Sequence, residues 1–141
     1  MKRMDIPPKP RFNFTKLLIA LMIIVILAGL SLPSYRNYLR RNAYSEIAQA
    51  TEPFKAGVSE CYQRTKNLNE CNGGKNYIPV DITTTTGPVA TLTTQNGVIT
   101  VTPVSTLGIK ASDTYVLTPQ IANNTLTWTT SGGSVTAGYI Q

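Results

Sequence analysis

The chain has 141 residues, thirteen Lys or Arg against seven Asp or Glu for a formal charge of +6, two cysteines and no histidine. That length bounds a single modest domain, and the missing histidine excludes His-based triads and most metal-hydrolase centres. The charge is uneven: from Ser34 onward eight basic residues face six acidic ones, so this part is nearly balanced and carries no dense stripe suited to a nucleic-acid backbone.

Residues 1–11 are polar, with Pro7, Pro8 and Pro10 favouring an extended, hydrated tail. Residues 12–33 read as a transmembrane helix. Every residue from Leu17 to Leu30 is apolar or glycine, and the run continues through Ser31 and Leu32 to Pro33. Counted from Phe12, with Lys16 snorkelling toward the headgroups, about twenty residues suffice to cross a hydrocarbon core of roughly 30 Å. The run is too long for a secretory signal and no small-residue cleavage site follows it, so it reads as a signal anchor. Lys2, Arg3, Lys9, Arg11 and Lys16 flank it on one side with Asp5, and Arg36, Arg40 and Arg41 on the other. The surplus favours a cytoplasmic tail.

Residues 34–70 continue the helix as an amphipathic rod. Leu39, Ala43, Ile47, Ala50, Phe54, Val58 and Cys61 recur in steps of three or four along one face, with Arg40, Arg41, Glu46, Glu52, Glu60 and Arg64 on or beside the other. Pro33 and Pro53 predict kinks rather than breaks, because the stripe resumes in phase. Tyr35 and Tyr38 suit a membrane–water boundary. Both cysteines, Cys61 and Cys71, follow the apolar run. A disulfide between them would close a short loop in an oxidising compartment, whereas two thiolates without histidine do not complete a tetrahedral metal shell.

Residues 71–141 change character. Asn72, Gly73 and Gly74 signal a turn, and the threonine- and valine-rich remainder favours strands. Asn96 and Gly97, between Leu92–Gln95 and Val98–Val101, specify a two-residue type I′ hairpin turn. Ile99, Val101 and Val104 with intervening threonines, then Tyr115–Thr118 and Leu126–Thr130, are the best strands, and Asn123 with Asn124 marks a second reversal. The fold class is therefore α+β, with a long N-terminal helix whose second half packs against an antiparallel sheet of about four strands. Trp128 is expected in sheet or interface packing. No catalytic, cofactor or metal site is expected: Asp81 and Asp113 are the only aspartates outside the tail, and Gly73–Gly74 and Gly132–Gly133 lack the lysine of a phosphate-binding loop.

Three ordered blocks resemble the type IV pilins of the type IVa class from Gram-negative bacteria, over about residues 12–131. The first is Leu32-Pro33-Ser34-Tyr35 followed by Tyr38, Arg41, Ala43, Ser45 and Glu46. The second is Ser59-Glu60-Cys61-Tyr62-Gln63, then Cys71-Asn72-Gly73-Gly74 and Tyr77-Ile78-Pro79. The third comprises Gly97-Val98-Ile99-Thr100-Val101, Leu117-Thr118-Pro119 and Leu126-Thr127-Trp128-Thr129. The resemblance implies a pilin fold and a subunit that polymerises through its hydrophobic helix, with Leu17, Leu18, Leu21, Ile24, Leu27 and Pro33 on the assembly segment. Cys61 and Cys71 would staple the head. Implied partners are other pilin subunits, the inner-membrane pilus assembly machinery and membrane lipid, with DNA supported only weakly through Arg64, Lys66, Lys75 and Lys110. The expected location is the inner membrane with a periplasmic head, and the cell-surface pilus once assembled.

The chain departs from the family at the processing site, where precursors carry glycine, then phenylalanine, then glutamate four residues further on. Alignment from Pro33 places Arg11 at the glycine, Phe12 at the phenylalanine and Lys16 at the glutamate. A second register through Asn13 and Phe14 puts Leu18 at the glutamate. Both registers lose both signals. Lys16 then reads either as a snorkelling residue of an uncleaved anchor or as a contact for a carboxylate on a partner helix. The implied function is a structural subunit of a type IV pilus or pilus-like filament serving adhesion, twitching motility or DNA uptake. The alternative is an unprocessed, bitopic pilin-like component of an envelope assembly or secretion complex.

Overall fold

The structure, a computed structural model, describes residues 13–140. The tail and the expectations placed on Arg11 and Phe12 lie outside the described residues. The chain divides into two units, Met1–Tyr35 and Arg36–Gln141.

Helix α1 runs from Phe14 to Thr65 and is helical through both Pro33 and Pro53. In the first unit its side chains from Phe14 to Leu30 are exposed, as an apolar rod without its own packing layer must be. In the second unit one stripe of α1 is buried: Tyr44, Ile47, Thr51, Phe54, Val58 and Cys61. Their alternating steps of three and four residues hold them on one helical face. Leu39, Ala43 and Ala50, expected on the stripe, are only half-buried at its margin. The axis of burial passes instead through Tyr44 and Thr51, whose mixed side chains do not register as apolar.

The helix ends at Thr65, short of residue 70. Lys66 adopts φ 57° while its N–H still closes on the Tyr62 carbonyl at 2.8 Å. A left-handed residue at this position stops an α-helix. Asn67 then caps a 3₁₀ turn at Leu68–Glu70, its side chain accepting from the Asn69 N–H at 3.1 Å.

The sheet has four antiparallel strands in sequential order: β1 (Val89–Gln95), β2 (Val98–Pro103), β3 (Tyr115–Ala122) and β4 (Thr125–Ser131). Both two-residue turns have positive φ at both positions, at Asn96 and Gly97 and at Asn123 and Asn124, as a type I′ geometry requires. The register is uneven. β3 pairs with β4 over seven positions, but β2 meets β3 only at Ile99–Leu117, Thr100–Val116 and Val101–Tyr115. That short pairing explains how Pro119 sits in an inner strand: it lies beyond the end of β2, where no ladder donor is required of it.

Alternation points Ile99, Val101, Tyr115 and Leu117 inward, against Ile47, Phe54 and Val58 of α1. Trp128 and Leu126 are half-buried and pack on the edge of the same core, while Thr125, Thr127, Thr129 and Ser131 face outward. A short helix, α2 (Gly133–Thr136), follows β4, and Tyr139 and Ile140 return to the core.

Candidate functional site

Two regions carry the residues singled out by sequence, and each is built from one unit. In the first, Asn13 precedes α1 and its carbonyl accepts from the Leu17 N–H at 3.1 Å, the first turn of the helix. That turn holds no acidic residue. Lys16 stands there instead, exposed, where the positive end of the helix dipole opposes a cation. Phe14, Leu17, Leu18, Leu21, Ile24 and Leu27 are all exposed, Leu17 the least at 40% and Phe14 the most at 66%. Contiguous apolar surface on this scale marks contact with lipid or with another chain. The helix is long and apolar enough to cross a membrane. Pro33 lies within α1.

The second region is the disulfide and what it organises. Cys61 and Cys71 are bonded, with Cα atoms 5.8 Å apart, and both are fully buried. The chain leaving Cys71 then binds the β1–β2 hairpin through a series of hydrogen bonds, among them two exchanged between Ile82 and Leu92 at 2.9 Å. The Cys71 carbonyl accepts from the Gly97 N–H at 2.8 Å, and the Asn72 side chain accepts from the Asn96 N–H at 3.0 Å. The Gly73 N–H donates to the Thr94 carbonyl at 2.9 Å, and Asp81 Oδ1 accepts from the Thr94 N–H at 3.0 Å. Thr94 thus has both backbone groups held by the same loop. Asp81 lies so close over Gly73 that any side chain there would collide with its carboxylate.

Asp113 has a comparable structural use, its carboxylate accepting from the Lys110 N–H at 2.9 Å while its carbonyl accepts from the Tyr44 hydroxyl at 2.6 Å. Both aspartates therefore brace loops. Among the described residues no group of three His, Cys, Asp or Glu is placed to hold a metal.

Burial is the largest cause raising the Tyr44 pKa, with Asp113 and then Tyr139 adding to it. Tyr44 also stacks on Tyr139, ring centroids 5.4 Å apart. Sequence reasoning missed Tyr44, Thr51 and Tyr139. For the first two a signal existed, the uninterrupted three-four spacing from residue 44 to residue 61; for Tyr139, almost a hundred residues away in the chain, none did.

Set against known proteins, the chain is 32% identical over 120 residues to the prepilin peptidase-dependent protein D of Escherichia coli, covering 84% of this chain and 79% of that protein. It is 31% identical over 97 residues to the type IV major fimbrial protein FimA of Dichelobacter nodosus, covering 67% and 62%. It is 30% identical over 68 residues to the type IV pilus subunit protein TapA of Aeromonas hydrophila, covering 48% of each. Among solved structures it is similar to the solution NMR structure of the major type IV pilin PpdD from enterohemorrhagic Escherichia coli. That match has a TM-score of 0.54 and 29% identity, over 68% of this chain and 70% of the other. No family model matches the chain.

Proposed function

Because the chain belongs to the type IV pilin family and is a structural, filament-forming protein rather than an enzyme, we propose that it assembles through the apolar part of α1. Leu17, Leu18, Leu21, Ile24 and Leu27 would lie in the bilayer before assembly and against the helices of neighbouring copies afterwards. The carrying observation is that these side chains are exposed along an unbroken apolar run. Lipid and a bundle of like helices are the two surroundings that hold such a rod without penalty. The head bound by Cys61–Cys71 would stand outside the cytoplasmic membrane and form the filament surface.

The partners on this reading are other copies of the subunit and the inner-membrane machinery that inserts and extracts them. Attachment, retraction-driven motility and DNA uptake are the roles such a filament serves. DNA uptake has the least support: Arg64 is paired with Glu60 at 2.8 Å and lies over the Tyr77 ring, and Lys66, Lys75 and Lys110 are scattered over loops.

Lys16 favours a second reading. A lysine in the first turn, with no acid beside it, suits an anchor that keeps its tail and never enters a filament. The name of the Escherichia coli relative ties that protein to a prepilin peptidase, and the same processing here would free an N-terminus at Phe12 or Phe14. Intact mass and N-terminal sequencing of the protein, recovered separately from membranes and from sheared surface filaments, decide between the two. A filament species beginning at Phe12 or Phe14 supports the assembling subunit and sets its register. A species beginning at Met1 and confined to membranes sinks it in favour of the uncleaved anchor.

A further inference from the structure

Two of the arginines that follow the apolar run, Arg40 and Arg41, line a small cavity. It has a volume of about 260 Å³ and is walled by Asn37, Arg40 and Arg41 on α1 and by Ala137, Gly138 and Tyr139 near the end of the chain. That is smaller than the usual site of a drug-sized molecule and right for a single polar headgroup. Gly138, at φ 78°, leaves open space on its side of the cavity.

Arg40 is held in place before any ligand arrives. Its Nε–H donates to the Leu107 carbonyl at 2.6 Å, and its guanidinium lies over Tyr139 at 5.5 Å from the ring centroid. Tyr139 is itself stacked on the buried Tyr44. A guanidinium has five N–H donors in a fixed fork that matches phosphate oxygens, and the Leu107 carbonyl occupies one of them. Arg41 and Arg36 are exposed alongside. Among the described residues the ion pairs are Lys55–Glu52 and Arg64–Glu60, so no described carboxylate neutralises Arg36, Arg40 or Arg41. A preorganised cationic cavity with no counter-ion among the described residues is suited to an external anion.

The connectivity of the chain identifies the anion. Arg36 is four residues from Leu32, the last apolar residue of the run, and Arg40 on the cavity wall is eight, so in any conformation the chain holds them within about 14 Å and about 28 Å of it. If the run is embedded in a bilayer, as the proposed function holds, the cationic cluster is tethered within reach of the phosphate layer. Exposed Tyr38 adds an amphipathic ring of the kind that settles there. We propose that the cavity walled by Asn37, Arg40, Arg41 and Tyr139 takes the phosphate of an anionic phospholipid headgroup, holding the head on the membrane surface while the subunit awaits assembly.

The test uses the full chain in nanodiscs of phosphatidylcholine alone and in nanodiscs containing one third phosphatidylglycerol, read by amide hydrogen exchange of residues 36–44 and 134–140. Exchange in both segments should slow in the anionic discs. Arg36→Gln and Arg41→Gln should each remove about fivefold of that protection, from roughly 1 kcal/mol per basic residue at an anionic surface. These two side chains are exposed and make no hydrogen bond or ion pair among the described residues, so the fold should survive. Exchange of β3 and β4 amides in the same samples reports that it does, and Lys75→Gln, in a remote loop, should leave the protection intact. Equal exchange in the two kinds of disc would overturn the proposal, as would protection that persists when Arg36→Gln and Arg41→Gln are combined. Inorganic phosphate reproducing the full effect on phosphatidylcholine discs would assign the cavity to a free anion. A DNA duplex reproducing it at lower concentration would assign it to nucleic acid, and either result overturns the lipid. The readout is independent of polymerisation, so it stands apart from the N-terminal sequencing that tests assembly.

Discussion

Gly97 donates its backbone N–H to the carbonyl of Cys71 at 2.8 Å, which seats the β1–β2 turn directly on one half of the disulfide. The helix end, the loop and the hairpin are thereby joined through one residue. The Cys61–Cys71 bond fixes where Cys71 sits, and Asn72, Gly73 and Asp81 extend the hold to Asn96 and Thr94.

Replacing Cys61 with serine should therefore loosen more than the loop it closes. The bond spans a sequence separation of 10, and closing a loop of that size restrains the unfolded chain by about 2 to 3 kcal/mol. The denaturation midpoint should fall accordingly, and the amides of Thr94, Asn96 and Gly97 should exchange faster than those of β4. Uniform acceleration across the sheet would mean that the disulfide does not hold the hairpin in particular.

Gly57 sets two effects against each other. In mid-helix, alanine is favoured over glycine by about 1 kcal/mol. Yet a Cβ at this position would stand 2.7 Å from the Tyr77 carbonyl and 2.9 Å from the Ile78 Cα, both backbone atoms of the loop packed on α1. Backbone yields poorly, and overpacking of this kind costs about 1 to 3 kcal/mol. Gly57→Ala is expected to destabilise by roughly 1 kcal/mol net. A thermal melt showing stabilisation would place the loop further from the helix.

Tyr44→Phe removes the hydroxyl that donates to the Asp113 carbonyl at 2.6 Å, with an expected loss of about 1 to 2 kcal/mol. It should also change the response to alkali. Burial first, then Asp113, raises the Tyr44 pKa, and burial raises that of Tyr115. An unfolded tyrosine titrates near about 10, so above that pH the unfolded chain releases protons that the native one retains. Stability is complete below that pH and falls as pH rises past it. Urea unfolding at a series of alkaline pH values should show this slope reduced in Tyr44→Phe, and an unchanged slope would refute the linkage.

Leu21→Lys and Ile24→Lys place a charge in the middle of the apolar run, at a cost of a few kcal/mol or more in hydrocarbon. Both should reduce the membrane-retained fraction and the recovery of filaments by shearing. Full retention of either variant would mean that the span lies elsewhere.

Much of this protein is written in local sequence because the forces responsible act over short spans. The apolar run from Leu17 to Leu32, the Asn96-Gly97 turn and the threonine–valine alternation each specify an element through backbone sterics and hydrophobic period alone. With two cysteines and no histidine, the pairing had one candidate. The family was readable from ordered blocks such as Cys61-Tyr62-Gln63 and Leu126-Thr127-Trp128. Tertiary structure decided the rest. The buried stripe runs through Tyr44 and Thr51 because a tyrosine can bury its ring while its hydroxyl reaches Asp113. The α-helix stops at Thr65, where Lys66 turns left-handed and the disulfide redirects the chain. Pro119 is admitted to an inner strand because β2 ends before reaching it. The stacking of Tyr139 on Tyr44, and of Arg40 on Tyr139, joins residues far apart in the chain. No local pattern encodes such a contact, because its stability comes from packing that exists only once the sheet has closed over the helix.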